Sequence, residues 1–298
     1  MAKNKTQRTF AKSRTHASKT ARELWQKGSI ASLGTSRTYQ DGLKLVSDWM
    51  RKNGGGALQD LSLKRARQYL LERAHEVSQS TLDRDRQAIQ AVLQDTGKLR
   101  ADQTIPVIKA ERQSELKPRG YTTEQIQKIS GHMAPHNALA VEIAYAAGLR
   151  AHELLTLAKR VEATPDPRPA DDAKFRAGHI KYVVTGKGGL IREVAIPKSL
   201  AERLEMMRLD APRTVRDRNV VYQQRYAIGG GQALSQAFSA ASKAVLGYST
   251  GLHGVRHGYA QQRHYEAQLA VGDPERALRI VSQELGHFRP EITLVYLR

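Results

Sequence analysis

Apolar positions recur at helical spacing along most of the chain. From Ser36 onward, Tyr39, Leu43, Leu45, Val46 and Trp49 follow the helical period, and Gly54–Gly56 breaks the pattern. A second helix is predicted from Ser62 to Val77, with Leu63, Ala66, Tyr69, Leu70 and Leu71 on its apolar side. A third is predicted from Thr81 to Leu93, carrying Leu82, Ile89 and Val92 behind the polar start Ser78–Ser80. Residues 95–120 lose this period, carry two prolines and mixed charge, and read as a linker. Periodicity resumes behind Thr122, where Gln125 three residues later completes a capping box. A helix over 138–157 is interrupted at Gly148, and 162–178 is a loop with three prolines. Two β-type runs, His179–Thr185 and Ile191–Ile196, flank Gly186–Gly189 and predict a hairpin. Helical patterns then occupy 199–209, 232–246, 254–268 and 274–285, and no internal repeat is visible.

The fold class expected from this pattern is mainly α with a small β-hairpin or sheet, in two domains. Its parts are a basic, flexible tail at 1–30, a helical domain at 31–94, the linker at 95–120 and an α+β domain at 121–298. A length of 298 residues suits two domains, each large enough for its own core.

Charge narrows the function. Lys and Arg number 48 against 29 acids, a net charge of +19, and residues 1–40 alone hold nine of the bases with one acid, Glu23. Such a surplus favours a polyanionic partner. The absence of cysteine excludes a disulfide scaffold, cysteine-ligated zinc and a thiol nucleophile. No apolar run is long enough for a membrane span, and the basic N-terminus lacks the apolar segment of a secretory signal. The expectation is a soluble, cytoplasmic, nucleoid-associated protein with no membrane partner. An RNA-binding module is disfavoured by an aromatic content of 6%, since base stacking depends on aromatic rings.

Three segments carry chemistry. They are Gly148-Leu149-Arg150-Ala151-His152-Glu153, then His253-Gly254-Val255-Arg256-His257, then Leu285-Gly286-His287 with Tyr296 nine residues beyond. Each has a plain structural reading. Arg150 could be a surface arginine after a helix end, Lys187 a solubilising residue among turn glycines, and His287 a complement to a helix C-terminus. Glu153 lies one helical turn from Arg150, where it can pair with it and fix its aim. His253 and His257 have a metal-binding spacing, but no glutamate follows His253 and no cysteine exists, so no metal is expected. The Gly-Lys-Gly-Gly run lacks the P-loop frame.

Taken in order, Arg150, Lys187, His253-x-x-Arg256, His287 and Tyr296 resemble the tyrosine recombinase (phage integrase) family, the group that includes the Xer recombinases and Cre. The resemblance covers about residues 120–298, and the helical lobe before it is similar to the family's SAM-like core-binding domain in length and class. It implies a two-domain clamp around DNA and a site-specific recombinase, or integrase, of the kind found on mobile genetic elements. The resemblance makes Tyr296 the nucleophile that forms a 3′-phosphotyrosine, and Lys187 the general acid for the leaving 5′-oxygen. Arg150 and Arg256 would clamp the scissile phosphate, with His253 and His287 hydrogen-bonding beside it and Glu153 and His257 supporting.

Two fixed guanidiniums do at such a phosphate what a divalent metal does elsewhere, so no cofactor is implied. The implied partners are duplex DNA with specific sites, a tetramer of the chain on that DNA, and accessory DNA-bending proteins. A type IB topoisomerase and a DNA-binding regulator without catalysis are the alternatives. Only Leu297 and Arg298 follow Tyr296, so coupling between protomers is expected to use another surface or an exchanged tyrosine segment, and attack in cis or in trans stays open. No motif assigns a role to the loop at 162–178.

Overall fold

The computed structural model describes residues 12–113 and 117–298, and the chain separates into two units, Met1–Glu115 and Leu116–Arg298. In the first, four helices pack around one core: α1 (Ser13–Gln26), α2 (Leu33–Lys52), α3 (Leu63–Ala74) and α4 (Gln79–Asp95). Ser32 and Ser62 start α2 and α3 by accepting the N–H of Thr35 at 3.1 Å and of Arg65 at 3.3 Å. Leu43, Val46 and Met50 of α2 meet Leu70 of α3 and Leu82, Ile89 and Leu93 of α4 in this core.

The residues expected to form a flexible tail contribute to the core instead. Ala17, Ala21 and Leu24 form a stripe at helical spacing on α1 and are buried, as is Ile30 after it. The positive charge at the N-terminus masks this stripe, because the lysines and arginines occupy the other faces. Residues 1–11 of the expected tail lie outside the described residues. The expected linker also behaves differently in its first half. Leu99 and Ile105 are buried in this same core, and Gln90 and Gln79 satisfy the N–H groups of Ile105 and Ala110 at 3.0 and 2.9 Å. An extended strap can dock without periodicity when side-chain amides hydrogen-bond its backbone. On α3 the buried stripe is Ala66, Tyr69, Leu70 and Ala74, which leaves Leu63 and Leu71 exposed, one helical position outside it.

The second unit begins with α5 (Thr123–Ser130), closed by the Thr122–Gln125 capping box, and α6 (Pro135–Ala147), an apolar helix buried in the core. A three-stranded antiparallel sheet follows, in the order β1 (Ala158–Lys159), β2 (Ile180–Thr185), β3 (Ile191–Ile196). Its β2–β3 register runs from Ile180 opposite Ile196 to Thr185 opposite Ile191, with Tyr182, Val184, Val194 and Ile196 in the core. Helix α7 (Lys198–Glu205) leads into a second hairpin, β4 (Arg208–Asp217) and β5 (Val220–Tyr226).

That second hairpin has no counterpart in the sequence pattern. Most of β4 is exposed, so no buried face imposes an apolar alternation on it. Its two-residue turn, Arg218-Asn219, has φ of 48° and 64° without a glycine to mark it. Helices α8 (Gly231–Leu246), α9 (His253–Val271), α10 (Pro274–Leu285) and α11 (Pro290–Leu294) complete the unit. Among the described residues, no helix is long and apolar enough to cross a membrane.

Candidate active site

Two helix ends deliver two of the functional side chains. Helix α6 stops at Gly148 and α10 at Gly286, both left-handed with φ of 62° and 72°. A β-carbon on Gly148 would lie 2.5 Å from the Tyr259 ring, and one on Gly286 would lie 2.6 Å from Cδ of Arg192. Glycine is therefore needed at both positions for conformation and for space. Arg150 follows the first stop and His287 the second. Arg256 enters from the first turn of α9, fully buried, and its guanidinium donates to the carbonyls of Gly148 and Leu285. One side chain thus clips the ends of α6 and α10 together.

Beneath these cations lies Glu153, with no solvent exposure. Its carboxylate accepts from Nη1 of Arg150 at 2.9 Å and from the Arg150 backbone N–H at 2.8 Å. It also accepts from Nη2 of Arg192 at 2.9 Å, and Nη1 of Arg256 stands 3.8 Å away. Burial alone would raise its pKa. The charges of Arg192, Arg256 and Arg150 outweigh that and hold it down to about 2. Three guanidiniums around one carboxylate leave the pocket positive, which suits an anion.

The same field acts on the histidines. Burial, then the charges of Arg256 and Arg150, push His287 down to about 3. Its Nε2 stands 3.1 Å from Nη2 of Arg256 and 3.3 Å from Nη2 of Arg150, so it accepts from them and carries no proton. Nδ1 then holds the proton and donates to the buried Thr293 hydroxyl at 3.0 Å, tying α11 to the site. Tyr296, one turn beyond, places its ring 5.0 Å from His287, 4.6 Å from His257 and 5.3 Å from His253. The Arg256 guanidinium lies 5.5 Å from the same ring, which covers it.

His257 is buried beside the Tyr296 ring, with a pKa pushed down to about 4 by burial and by the charges of Arg119 and Arg298. His253 stands at the exposed rim, also held near 4, by partial burial and the charge of Arg256. The structure therefore brings Arg150, Glu153, Arg256, His257, His287 and Tyr296 into contact within one chain and sets His253 at the edge. The backbone of Lys187 opens the turn between β2 and β3, and its side chain lies outside the described residues. Among the described residues, no cluster of His, Asp and Glu could hold a metal ion.

Arg192 is the principal residue that motif reading missed. It is buried on β3, donates to Glu153 and, at 2.7 Å, to the carbonyl of Glu284. An arginine in phase with Val194 and Ile196, both in the core, was the available signal.

The loop at 162–178 acquires a role as well. Its Phe175 and Asp171 N–H groups donate to the side chains of Glu284 at 2.7 Å and Gln283 at 2.9 Å. Asp171 pairs with Arg276 at 2.9 Å and Arg176 with Glu266 at 2.6 Å, so the loop straps α9 and α10. Glu284 also accepts from the Tyr259 hydroxyl at 2.6 Å and from Arg263 at 3.0 Å. The strap therefore braces the helices that carry Arg256 and His287.

Residues 21–95 match the family model described as the phage integrase N-terminal SAM-like domain. Among solved structures, the XerH site-specific recombinase bound to palindromic difH substrate, a post-cleavage complex, is 17% identical, with a TM-score of 0.58 over 94% of this chain and 81% of that one. A lambda integrase (75–356) dimer bound to a COC′ core site is 16% identical, with a TM-score of 0.57 over 95% of this chain and 94% of that one. The Tn1549 transposon integrase in complex with circular intermediate DNA is 15% identical, with a TM-score of 0.51 over 97% and 96%. No curated protein matches the chain. The chain shares the fold of these three DNA-bound recombinases.

Proposed function

We propose that the chain is a site-specific DNA recombinase that cuts and rejoins strands through a phosphotyrosine at Tyr296. The observation that carries this reading is the meeting of Arg150 and Arg256 at His287, 3.3 and 3.1 Å from one ring nitrogen, under the Tyr296 ring. A phosphodiester entering here displaces the ring from Arg256 and takes the free donors of both guanidiniums. Charge growing on its non-bridging oxygens then meets cations already held in place by Glu153 and two main-chain carbonyls. The Tyr296 ring packs against His257, Arg256 and His287, which supports attack by Tyr296 on a phosphate held in the same pocket. The phenol passes its proton to the uncharged His253 ring beside it, its oxygen forms the new bond to phosphorus, and the 5′-oxygen leaves, protonated by Lys187. The energy of the broken bond stays in the adduct, and attack by a 5′-hydroxyl reverses the step.

The test is to incubate the full chain with genomic DNA of its source, stop with detergent and recover protein-linked fragments. The peptide containing Tyr296 should carry a nucleotide on the tyrosine by mass spectrometry, and the attached DNA should define the site. An adduct on another residue, or none, overturns the reading.

The assembly expected is a monomer that becomes a tetramer on two sites, because each exchange needs four strand cleavages. Solved relatives include a lambda integrase tetramer bound to a Holliday junction, which supports this. Light scattering should give a monomer without DNA and four protomers on two of the recovered duplexes. A stable tetramer without DNA contradicts the assembly. The recombinase would act at the nucleoid, with accessory DNA-bending proteins where the recovered sites have separated repeats.

A further inference from the structure

We propose that the β4–β5 hairpin grips duplex DNA beside the active site, with Arg216 and Arg218 as its phosphate contacts. This rests on the recombinase reading and adds an interaction surface that the catalytic residues do not supply. The hairpin holds five arginines and two aspartates. Three of the arginines are engaged: Arg208 and Arg225 with Glu162 at 2.7 and 3.3 Å, and Arg213 with Gln224 at 2.8 Å. Arg216 and Arg218 are exposed at the tip, and neither forms an ion pair among the described residues.

The tip is fixed next to the chemistry. Asp217 accepts the N–H of Gln232 at 2.9 Å at the start of α8, while the N–H of Gly231 donates to the carbonyl of Ala151 at 2.8 Å. Ala151 follows Arg150 directly in the chain, so these bonds tie the tip through the start of α8 to the arginine turn. Register then decides which side chains face away. Arg213, Val215 and Asp217 share the face toward α8. Thr214 and Arg216 share the other, opposite Gln223 and Val221. All four outward residues are exposed, and Gln223 donates to Thr214 across the strands at 3.2 Å.

A phosphate held by Arg150 and Arg256 belongs to a strand that continues past the site on both sides, with one charge for every ~3.4 Å of helix axis per strand. Two unpaired guanidiniums beside that point meet the neighbouring phosphates. The polar outward face of a two-stranded ribbon has the width and chemistry to lie along a groove. Nothing on that face except Val221 is apolar, so charge complementarity selects DNA over a protein partner.

The experiment measures affinity of the full chain for a fluorescent 30-base-pair duplex of arbitrary sequence across a salt series. Wild type, R216A/R218A and R216K/R218K are compared, and all three keep a β-carbon in the strained turn. Each lost phosphate contact should lower the slope of log affinity against log salt by about 0.9. The alanine pair should therefore lose about 1.8, and the lysine pair should retain the wild-type slope. An unchanged slope in the alanine pair, or a lysine pair no better than alanine, overturns the proposal while the recombinase reading stands. A wild-type chain that fails to bind the duplex at low salt counts against both.

Discussion

Tyr296→Phe should bind the recovered DNA sites with affinity within about twofold of wild type and form no covalent adduct, a loss on the order of 10⁴ or more in cleavage. Only the phenolic oxygen is removed. The ring contacts to His257 at 4.6 Å, His287 at 5.0 Å and Arg256 at 5.5 Å remain available to phenylalanine. Binding and chemistry should therefore separate cleanly. Lys187→Ala should keep the nucleophile and stall, slowed by about 10²–10⁴, because an alkoxide without a proton donor leaves poorly. A substrate with sulfur in place of the bridging 5′-oxygen departs without protonation. It should restore Lys187→Ala to near wild-type cleavage and leave Tyr296→Phe inactive. Failure of the sulfur substrate to rescue Lys187→Ala would assign that lysine to phosphate positioning. An adduct formed by Tyr296→Phe would remove the basis of the mechanism.

Glu153→Gln should lower stability by about 3–5 kcal/mol, the range for breaking a buried ionic cluster by removing one partner. That corresponds to a drop of roughly 6–20 °C in Tm, readable by calorimetry on the isolated chain without DNA. The amide keeps the shape but leaves Arg150, Arg192 and Arg256 facing one another without a carboxylate. An unchanged Tm would mean that the cluster is relieved by water or by movement of Arg150, which is the most exposed of the three arginines.

Acid should act on the same cluster with a definite sign. Glu153 lies near 2 in the folded chain against 4.5 for its ordinary value. Its contribution, about 3 kcal/mol, is complete above pH 4.5 and is lost as pH falls toward 2. His257 and His287 lie near 4 and 3 against 6.5. Because the unfolded chain takes up these protons first, their contribution is complete above pH 6.5 and declines below it. Urea titrations from pH 7 to pH 3 should show stability falling from pH 6.5 and more steeply below 4.5. Glu153→Gln should reduce the second part more than the first, the remainder coming from Asp171, Glu162 and Glu205, which are also held below the ordinary carboxylate value.

The sequence by itself determined the helical class and marked the candidate site residues. Arg150, His253, Arg256, His287 and Tyr296 were legible because their order and spacing along the chain form a pattern that needs no tertiary contact to read. The Thr122–Gln125 box and the glycines at 148 and 286 mark helix ends through strictly local backbone rules. Helix α1 was obscured because a buried stripe of two alanines and one leucine is a weak signal among lysines and arginines. The β4–β5 hairpin was hidden because an exposed ribbon has no core face to impose a pattern.

The tertiary structure alone decided how the site is assembled. Arg192 reaches Glu153 across 39 positions of sequence, and Arg256 reaches the Gly148 carbonyl across 108. Such pairs carry no local periodicity, since they form only when packing brings separate helix ends together. The seating of the Tyr296 ring against His257 and His287 and the bracing loop at 162–178 have the same origin. Each depends on hydrogen bonds between elements whose spacing along the chain says nothing about their distance in space.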